Sequence, residues 1–332
     1  MVKFLIVRFS SIGDIILTTP VVRALKSQVE GSEVHFLTKK KFSTLLEANP
    51  YIDTIQTLDR SFRELIIQLR GEKYDYIIDL HRNLRTLRLK LNLRAISFTF
   101  PKLNWQKWLL VNLRVNKLPS KHIVDRYFEA VEIFDILNDG KGLDYYIPEH
   151  ETENAAKILK DLQTPFVIVV VGGGHFTKQI PIQKLRNIVK LIRYTVLLLG
   201  GSEDKDKAEK VAEGFSEKIF NLTGLLSIHE SAWMIKHSLG IITPDTGLMH
   251  IAAALKKKIF SVWGNTIPEF GMYPYMPDEG SHIFEVKNLK CRPCSKIGYE
   301  KCPKGHFKCM MDINTTEIIT GINNLSDKSL RK

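Results

Sequence analysis

Residues Phe166–Gly174 read FVIVVVGGG: six consecutive apolar, mostly β-branched residues run straight into three glycines. A run this short, closed by chain breakers, reads as a strand buried on both faces that ends in a tight turn. It lies halfway along a chain of 332 residues. Its position matters because the pattern it begins has by then been run through once already.

Upstream, short apolar runs alternate with helical patterns. KFLIVRF precedes a helical stretch from Asp14 to Ser27, EVHFLT one from Phe42 to Ala48, TIQTL one from Phe62 to Leu69, and YDYIIDL one from Leu84 to Leu93; AISFTF follows. Regular alternation of strand and helix implies βαβ units on a parallel sheet with right-handed crossovers. A last helical stretch, DRYFEAVEIFDIL, and the turn-rich NDGKGLDYYIPEHE close this half. Downstream of the glycines the alternation restarts: Ile182–Ile192, TVLLLGG, Asp204–Phe215, IFNLTG, Ile228–His237, LGIITPD, Thr246–Leu255 and IFSVWG. The expected architecture is α/β, with two Rossmann-like doubly wound domains, residues 1–148 and 149–325, facing across a cleft. Ligands of such sheets bind outside the carboxyl ends of the strands.

Composition agrees, with 44% hydrophobic and 25% charged residues. No run of eighteen uncharged apolar residues occurs, and MVKFLIVRF is too short for a secretory signal, so a cytoplasmic protein is expected. The net charge of +12 calls for an acidic partner, and it is concentrated: from His81 to Arg126 eleven basic residues face a single acid, Asp125. All four cysteines, Cys291, Cys294, Cys302 and Cys309, fall within one short segment. In a reducing compartment that spacing reads as reduced thiols or as a structural zinc site, with His306 a spare ligand.

Three turns carry the chemistry. In VRFSSIGDII the strand ends near Phe9, Ser10 and Ser11 turn, Gly13 allows close approach, and Asp14 heads the next helix, where an N-cap is the plain reading. Thr19-Pro20 reads as a second cap followed by proline. In GIITPDTGLMHIAAAL, Asp245, Thr246 and Gly247 sit at a strand-to-helix joint whose free amides suit a phosphate, with Leu248 and His250 following. In VVVGGGHFTKQIP, Gly172, Gly173 and Gly174 precede Thr177 and Lys178, a mobile point charge fit for a pyrophosphate. Gly200 and Gly201 end another strand on the same side. Neither a dinucleotide fingerprint nor a P-loop is present.

These stretches, FLIVRFSSIGDIILTTPVVRALK, the lysine of GGGHFTKQIP, TPDTGLMHIAAAL and CRPCSKIGYEKCPKGHFKCM, resemble in order and spacing those of glycosyltransferase family 9, the ADP-heptose:lipopolysaccharide heptosyltransferases. The resemblance implies a GT-B fold, an N-terminal acceptor domain, a C-terminal donor domain and inverting transfer that requires no cofactor. It implies Asp14 as general base, Lys178 as the catalytic donor-phosphate lysine, and Gly173, Thr177, Gly200, Asp245, Thr246, Gly247, Leu248 and His250 around the donor. Ser11, Gly13, Arg82 and Arg85 would meet the acceptor. The implied partners are a nucleotide-sugar donor, expected to be ADP-heptose, and an anionic glycolipid acceptor, with peripheral contact at the inner membrane surface. Two departures stand out: Ile180 replaces an aromatic residue after the lysine, and GNTIPEFGMYP replaces a sequence close to GPTDP. A GT-B nucleotide-sugar epimerase and a nucleic-acid-binding protein using the basic face are the alternative readings, though no nucleic acid is expected.

Overall fold

The computed structural model describes residues 2–162, 164–215 and 217–326. The chain forms two compact units, Met1–Leu103 with Ser120–Tyr146, and Asn104–Pro119 with Ile147–Lys332.

In the first unit β1 (Val2–Val7) leads into α1 (Ile12–Ile16) and α2 (Thr19–Gln28). β2 (Ser32–Lys39), β3 (Thr54–Leu58) and α3 (Phe62–Gly71) follow, then β4 (Tyr76–Asp79), α4 (Leu84–Leu93) and β5 (Ile96–Thr99). The five strands are all parallel in the order β3-β2-β1-β4-β5. β1 is central, and Phe4, Leu5, Ile6 and Val7 are fully buried. Both faces of such a strand are covered, which is why its sequence is continuously apolar instead of alternating.

Three expectations are corrected here. The stretch Phe42–Ala48 forms a 3-10 turn, Lys40–Leu46, because only Leu45 and Leu46 turn inward and two buried positions cannot anchor a longer amphipathic helix. Asp14 is the third residue of α1 and not its N-cap; Ser11 takes that place, and the two form a capping box. The N-cap of α2 is likewise Thr18 and not Thr19, which puts Pro20 at the second helical position.

Residues Asn104–Leu113 form α5, which groups with the second unit; Leu110 packs with Ile267 and Phe270 there. The chain then returns to the first unit in α6 (Ile123–Phe128), which stops well short of the helical stretch read from the sequence. A short 3-10 turn, Glu132–Phe134, ends in Asp135 with φ 54°.

The second unit opens with α7 (Glu153–Leu162) and β6 (Phe166–Val170). It continues through α8 (Ile182–Leu191), β7 (Thr195–Leu199), α9 (Lys205–Ala212) and β8 (Ile219–Asn221). α10 (Ile228–His237), β9 (Ile241–Pro244), α11 (Gly247–Ala254), β10 (Ile259–Trp263) and β11 (His282–Glu285) complete its sheet, with α12 (Lys308–Met311) and α13 (Thr315–Asn323) at the end. Six parallel strands run β11-β10-β9-β6-β7-β8. The FVIVVV run is indeed central, with every residue of β6 buried. No helix among the described residues is long and apolar enough to cross a membrane.

Candidate active site

In the second unit the ends of β6, β7, β9 and β10 lie on one edge of a parallel sheet, so their loops gather there. Lys178 ends the 3-10 turn Phe176–Lys178 beyond β6, and Asp245 follows β9. Their side chains meet, Nζ donating to Oδ2 at 2.6 Å. Thr266, beyond β10, donates its hydroxyl to the same carboxylate oxygen at 3.1 Å. Three loops far apart in sequence thus converge on one carboxylate.

Thr246 is the N-cap of α11, yet no side chain caps this helix. Its hydroxyl is instead 3.0 Å from that of Thr243. The first-turn amides, those of Gly247, Leu248 and Met249, therefore begin a helix whose positive dipole end suits an anion. His250, one turn on, is only 2% exposed.

The glycines at the ends of β6 and β7 are required by close approach. A Cβ on Gly172 would lie 1.9 Å from Asp204 Oδ2, and one on Gly200 2.9 Å from the same atom. Asp204 fills the space between the two strand ends and accepts from Gly201 N at 3.0 Å. Gly173 is tied by its carbonyl to Gln179 at 2.9 Å, and Gln179 with Val171 O receives the Lys207 ammonium, at 3.1 and 2.7 Å. Burial pulls the Lys207 pKa down to about 8, although Asp204 opposes it. Asp204, Gln179 and Lys207 escaped the sequence reading, which followed the glycines and not what their missing side chains make room for.

Thr177 is buried, and its hydroxyl accepts from Tyr299 N at 2.8 Å while its own amide donates to Tyr299 O at 3.1 Å. That hydroxyl fastens the lysine-bearing turn to the cysteine-rich segment. Phe176 stacks on Phe307 of the same segment with centroids 5.0 Å apart. Arg292, inside the CxxC, donates to Gly264 O at 2.6 Å and Thr266 O at 2.9 Å, and lies 2.7 Å from Glu285. Nothing in the sequence marked Arg292 as the residue that holds the Thr266 loop.

The four thiols are free. Cys291 Sγ lies 3.7 Å from His306 Nε2. Burial, then the neighbouring thiols, push Cys309 up to about 12, and Cys294 is raised for the same reasons. Among the described residues no cysteine belongs to a set of three ligand-type atoms mutually within 4.8 Å.

In the first unit the loops after β1 and β4 meet. Asp14 Oδ2 accepts from Ser11 N at 3.1 Å and Ser11 Oγ at 2.7 Å, while Oδ1 pairs with Arg8. Arg8 is buried and donates to Ser10 O at 3.0 Å and Leu80 O at 2.5 Å. Burial works against its charge, but Asp14 and then Tyr127 and Asp79 outweigh it and raise its pKa. His81 is pulled down to about 4 by burial and by Arg8 and Lys102, so its ring is neutral near pH 7. Lys102 donates to the carbonyls of His81 and Arg82 at 3.0 and 3.1 Å. Arg82 adopts φ 51°, a left-handed turn held by its amide donating to Asp79 Oδ1 at 2.7 Å. Arg85 lies over the Phe9 ring, 5.8 Å from its centroid. Ser11, Gly13 and Asp14 at the start of α1 and Arg82 and Arg85 at the start of α4 are thus neighbours, joined through Arg8 and Phe9. The residues expected around the donor all belong to the other unit.

Two doubly wound parallel-sheet units in one chain define the GT-B class of glycosyltransferases, and solved structures share the arrangement. A glycosyl transferase family 9 structure from Veillonella parvula superposes with a TM-score of 0.80 at 21% identity, covering 97% of this chain and 96% of that one. Escherichia coli ADP-heptose lipopolysaccharide heptosyltransferase II gives 0.75 at 18% identity, covering 97% and 98%. In sequence, lipooligosaccharide heptosyltransferase 2 of Haemophilus influenzae is 24% identical over 98% of this chain and the whole of its own length. The family model described as glycosyltransferase family 9 (heptosyltransferase) matches residues 62–301. The chain belongs to that family and is a glycosyltransferase.

Proposed function

We propose that the protein transfers heptose from ADP-heptose to an anionic lipopolysaccharide-core glycolipid, with inversion at the anomeric carbon. The observation that carries this reading is the Lys178–Asp245 pair, 2.6 Å apart beside an uncapped helix start. A cation, a carboxylate and free amides in one place suit a diphosphate attached to a polyol. The names of the relatives, lipopolysaccharide and lipooligosaccharide heptosyltransferases, supply the donor and acceptor classes.

The first unit supplies the base and the second holds the donor. Asp14 accepts the proton of the acceptor hydroxyl as its oxygen bonds to the anomeric carbon. The bond from that carbon to the diphosphate oxygen breaks, and its electron pair leaves on ADP. Lys178 and the first amides of α11 offset the charge that develops there. Asp245, once Lys178 has turned to phosphate, is free to accept from sugar hydroxyls. Ser11 and Arg8 hold the Asp14 carboxylate in one orientation, and Arg82 and Arg85 meet acceptor anions. Contact with the membrane surface is peripheral, since the acceptor is lipid-anchored. No step requires a metal; any ion on the cysteines would be structural.

Calorimetry with ADP-heptose, ADP, UDP and GDP tests the donor assignment. Preference for the adenine compounds is expected, and preference for UDP or GDP would refute it.

A further inference from the structure

We propose that α4 is the membrane-docking element, seating an exposed leucine stripe in the interface of an anionic bilayer. This rests on the glycolipid-acceptor reading above and says where the lipid surface lies.

α4 carries apolar residues on two sides. Thr86 and Leu89 are fully buried, and Leu89 joins the core of the first unit. Leu84, Leu87 and Leu91 point the other way, 85%, 49% and 70% exposed. Single exposed leucines are ordinary on protein surfaces. Three at spacings of three and four lie within about 60° of the helix circumference, a continuous stripe. Nothing on the inner side of the helix requires them.

The flank of the stripe is basic. Arg85 and Arg88 follow Leu84 and Leu87 by one residue each and are exposed. Their guanidinium groups lie over the Phe9 and Phe62 rings, which hold the charges beside the helix. Arg82 precedes α4 and Arg94 ends it, and from Leu80 to Val124 the sequence contains no acid at all. The edge strand β5 that follows exposes Ile96 at 61%. An apolar stripe edged by arginines that form no ion pair among the described residues is complementary to acyl chains beneath anionic headgroups. A second copy of this chain is a poor occupant, because pairing two such helices would bring Arg85 and Arg88 of both copies together with no acid of this segment to neutralise them. Arg82 and Arg85 are also the residues beside the Asp14 loop, so a bilayer seated on α4 brings its headgroup region to the acceptor side.

The test is sedimentation of the full-length protein with vesicles of phosphatidylglycerol and phosphatidylethanolamine, against phosphatidylcholine vesicles. Wild type is expected to pellet with the anionic vesicles only. The triple variant Leu84→Ser, Leu87→Ser, Leu91→Ser should lose at least tenfold in apparent partitioning, since each buried leucine is worth roughly that factor. Arg88→Glu alone should lose roughly tenfold at low salt and flatten the salt dependence, because the screened attraction to anionic headgroups is smaller. Melting curves and light scattering should show both variants folded and unchanged in mass, and the triple variant should still glycosylate a deacylated, water-soluble acceptor. Wild type that ignores anionic vesicles, or a triple variant that pellets like wild type, overturns the proposal. So does a change in oligomeric mass with unchanged vesicle binding, which would assign the stripe to a second copy. Wild type that binds vesicles yet transfers no sugar to the soluble acceptor would instead refute the proposed function and leave this inference standing.

Discussion

In the structure Lys178 already has an anionic partner, Asp245 Oδ2 at 2.6 Å, with the two side chains 17% and 12% exposed. A donor diphosphate that binds Lys178 must take it from Asp245, so two substitutions at one ion pair should move ADP affinity in opposite directions. Lys178→Met deletes a charge-assisted hydrogen bond to phosphate, a loss of about 1.5–3 kcal/mol. That corresponds to roughly a 10- to 150-fold rise in Kd. Asp245→Asn keeps the shape but removes the competing charge. A partly exposed pair is worth about 1 kcal/mol, the upper end for solvent-screened pairs, so releasing Lys178 should tighten ADP by up to about fivefold. ADP-heptose should not share that gain, because the amide replaces the carboxylate proposed to accept from sugar hydroxyls; the preference for sugar nucleotide over ADP should shrink. Titration calorimetry of wild type and both variants at one ionic strength reads all of this. If Asp245→Asn weakens ADP as severely as Lys178→Met, the pair acts as a scaffold, and the exchange of Lys178 from carboxylate to phosphate is wrong.

Asp14→Asn keeps the Ser11 capping geometry but removes the proposed base; kcat should fall by about 10²- to 10⁴-fold with little change in the KM for donor, measured by release of ADP. Arg292→Met leaves Glu285 beside an apolar side chain and frees the Gly264–Thr266 loop. The loss should be about 3 kcal/mol of stability, read as a Tm lower by about 6–12 °C, and a donor Kd raised through Thr266. A variant that melts like wild type would remove Arg292 from its bracing role. Lys207 titrates near 8 in the fold, against an ordinary lysine value of 10.5. Between those values the unfolded chain holds a proton that the folded chain has released, so stability from this group rises with pH across that window, by at most about 1.4 kcal/mol per pH unit. Melting curves of Lys207→Met should lack that slope; an identical pH dependence would show that Lys207 keeps its charge.

The alternation of strand and helix was legible because parallel strands are buried on both faces and announce themselves as unbroken apolar runs. TIQTL, Leu84–Leu93 and Ile228–His237 became β3, α4 and α10 with the bounds read from the sequence. What failed was local competition. Ser11 and Asp14 can each cap a helix, and the hydroxyl three residues upstream took the cap while the carboxylate turned back on it. The elements that the sequence pattern left unassigned, α5, α7, β11 and α13, lack the apolar-run-then-glycine signature. The placement of α5 is a tertiary fact, since NWQKWLLVNL gives no hint that Leu110 finds its partners at Ile267 and Phe270, more than 150 residues away.

The candidate site was legible in its outer ring and opaque in its bracing. Asp14, Lys178 and Asp245 stand where strand ends meet turns, which sequence can find. The groups that fix them are defined by what they exclude or reach across. Asp204 occupies the volume that Gly172 and Gly200 vacate, and Arg292 and Tyr299 reach back from a segment that seemed to matter only for its cysteines. That segment has little regular structure between β11 and α12, yet it grips both the Lys178 turn through Thr177 and the Asp245 partner Thr266 through Arg292. Of the two sequence departures noted beside the donor motifs, one lies at a gripping point and the other three residues after Thr177. Ile180 is 2% exposed and part of the core of the second unit, and GNTIPEF supplies the carbonyls of Gly264 and Thr266 that Arg292 holds. The replaced residues therefore lie in the support of the site, while Asp14, Lys178 and Asp245 stand outside both departures. A change of this kind bears on how Lys178 and Asp245 are held and leaves both side chains in the sequence.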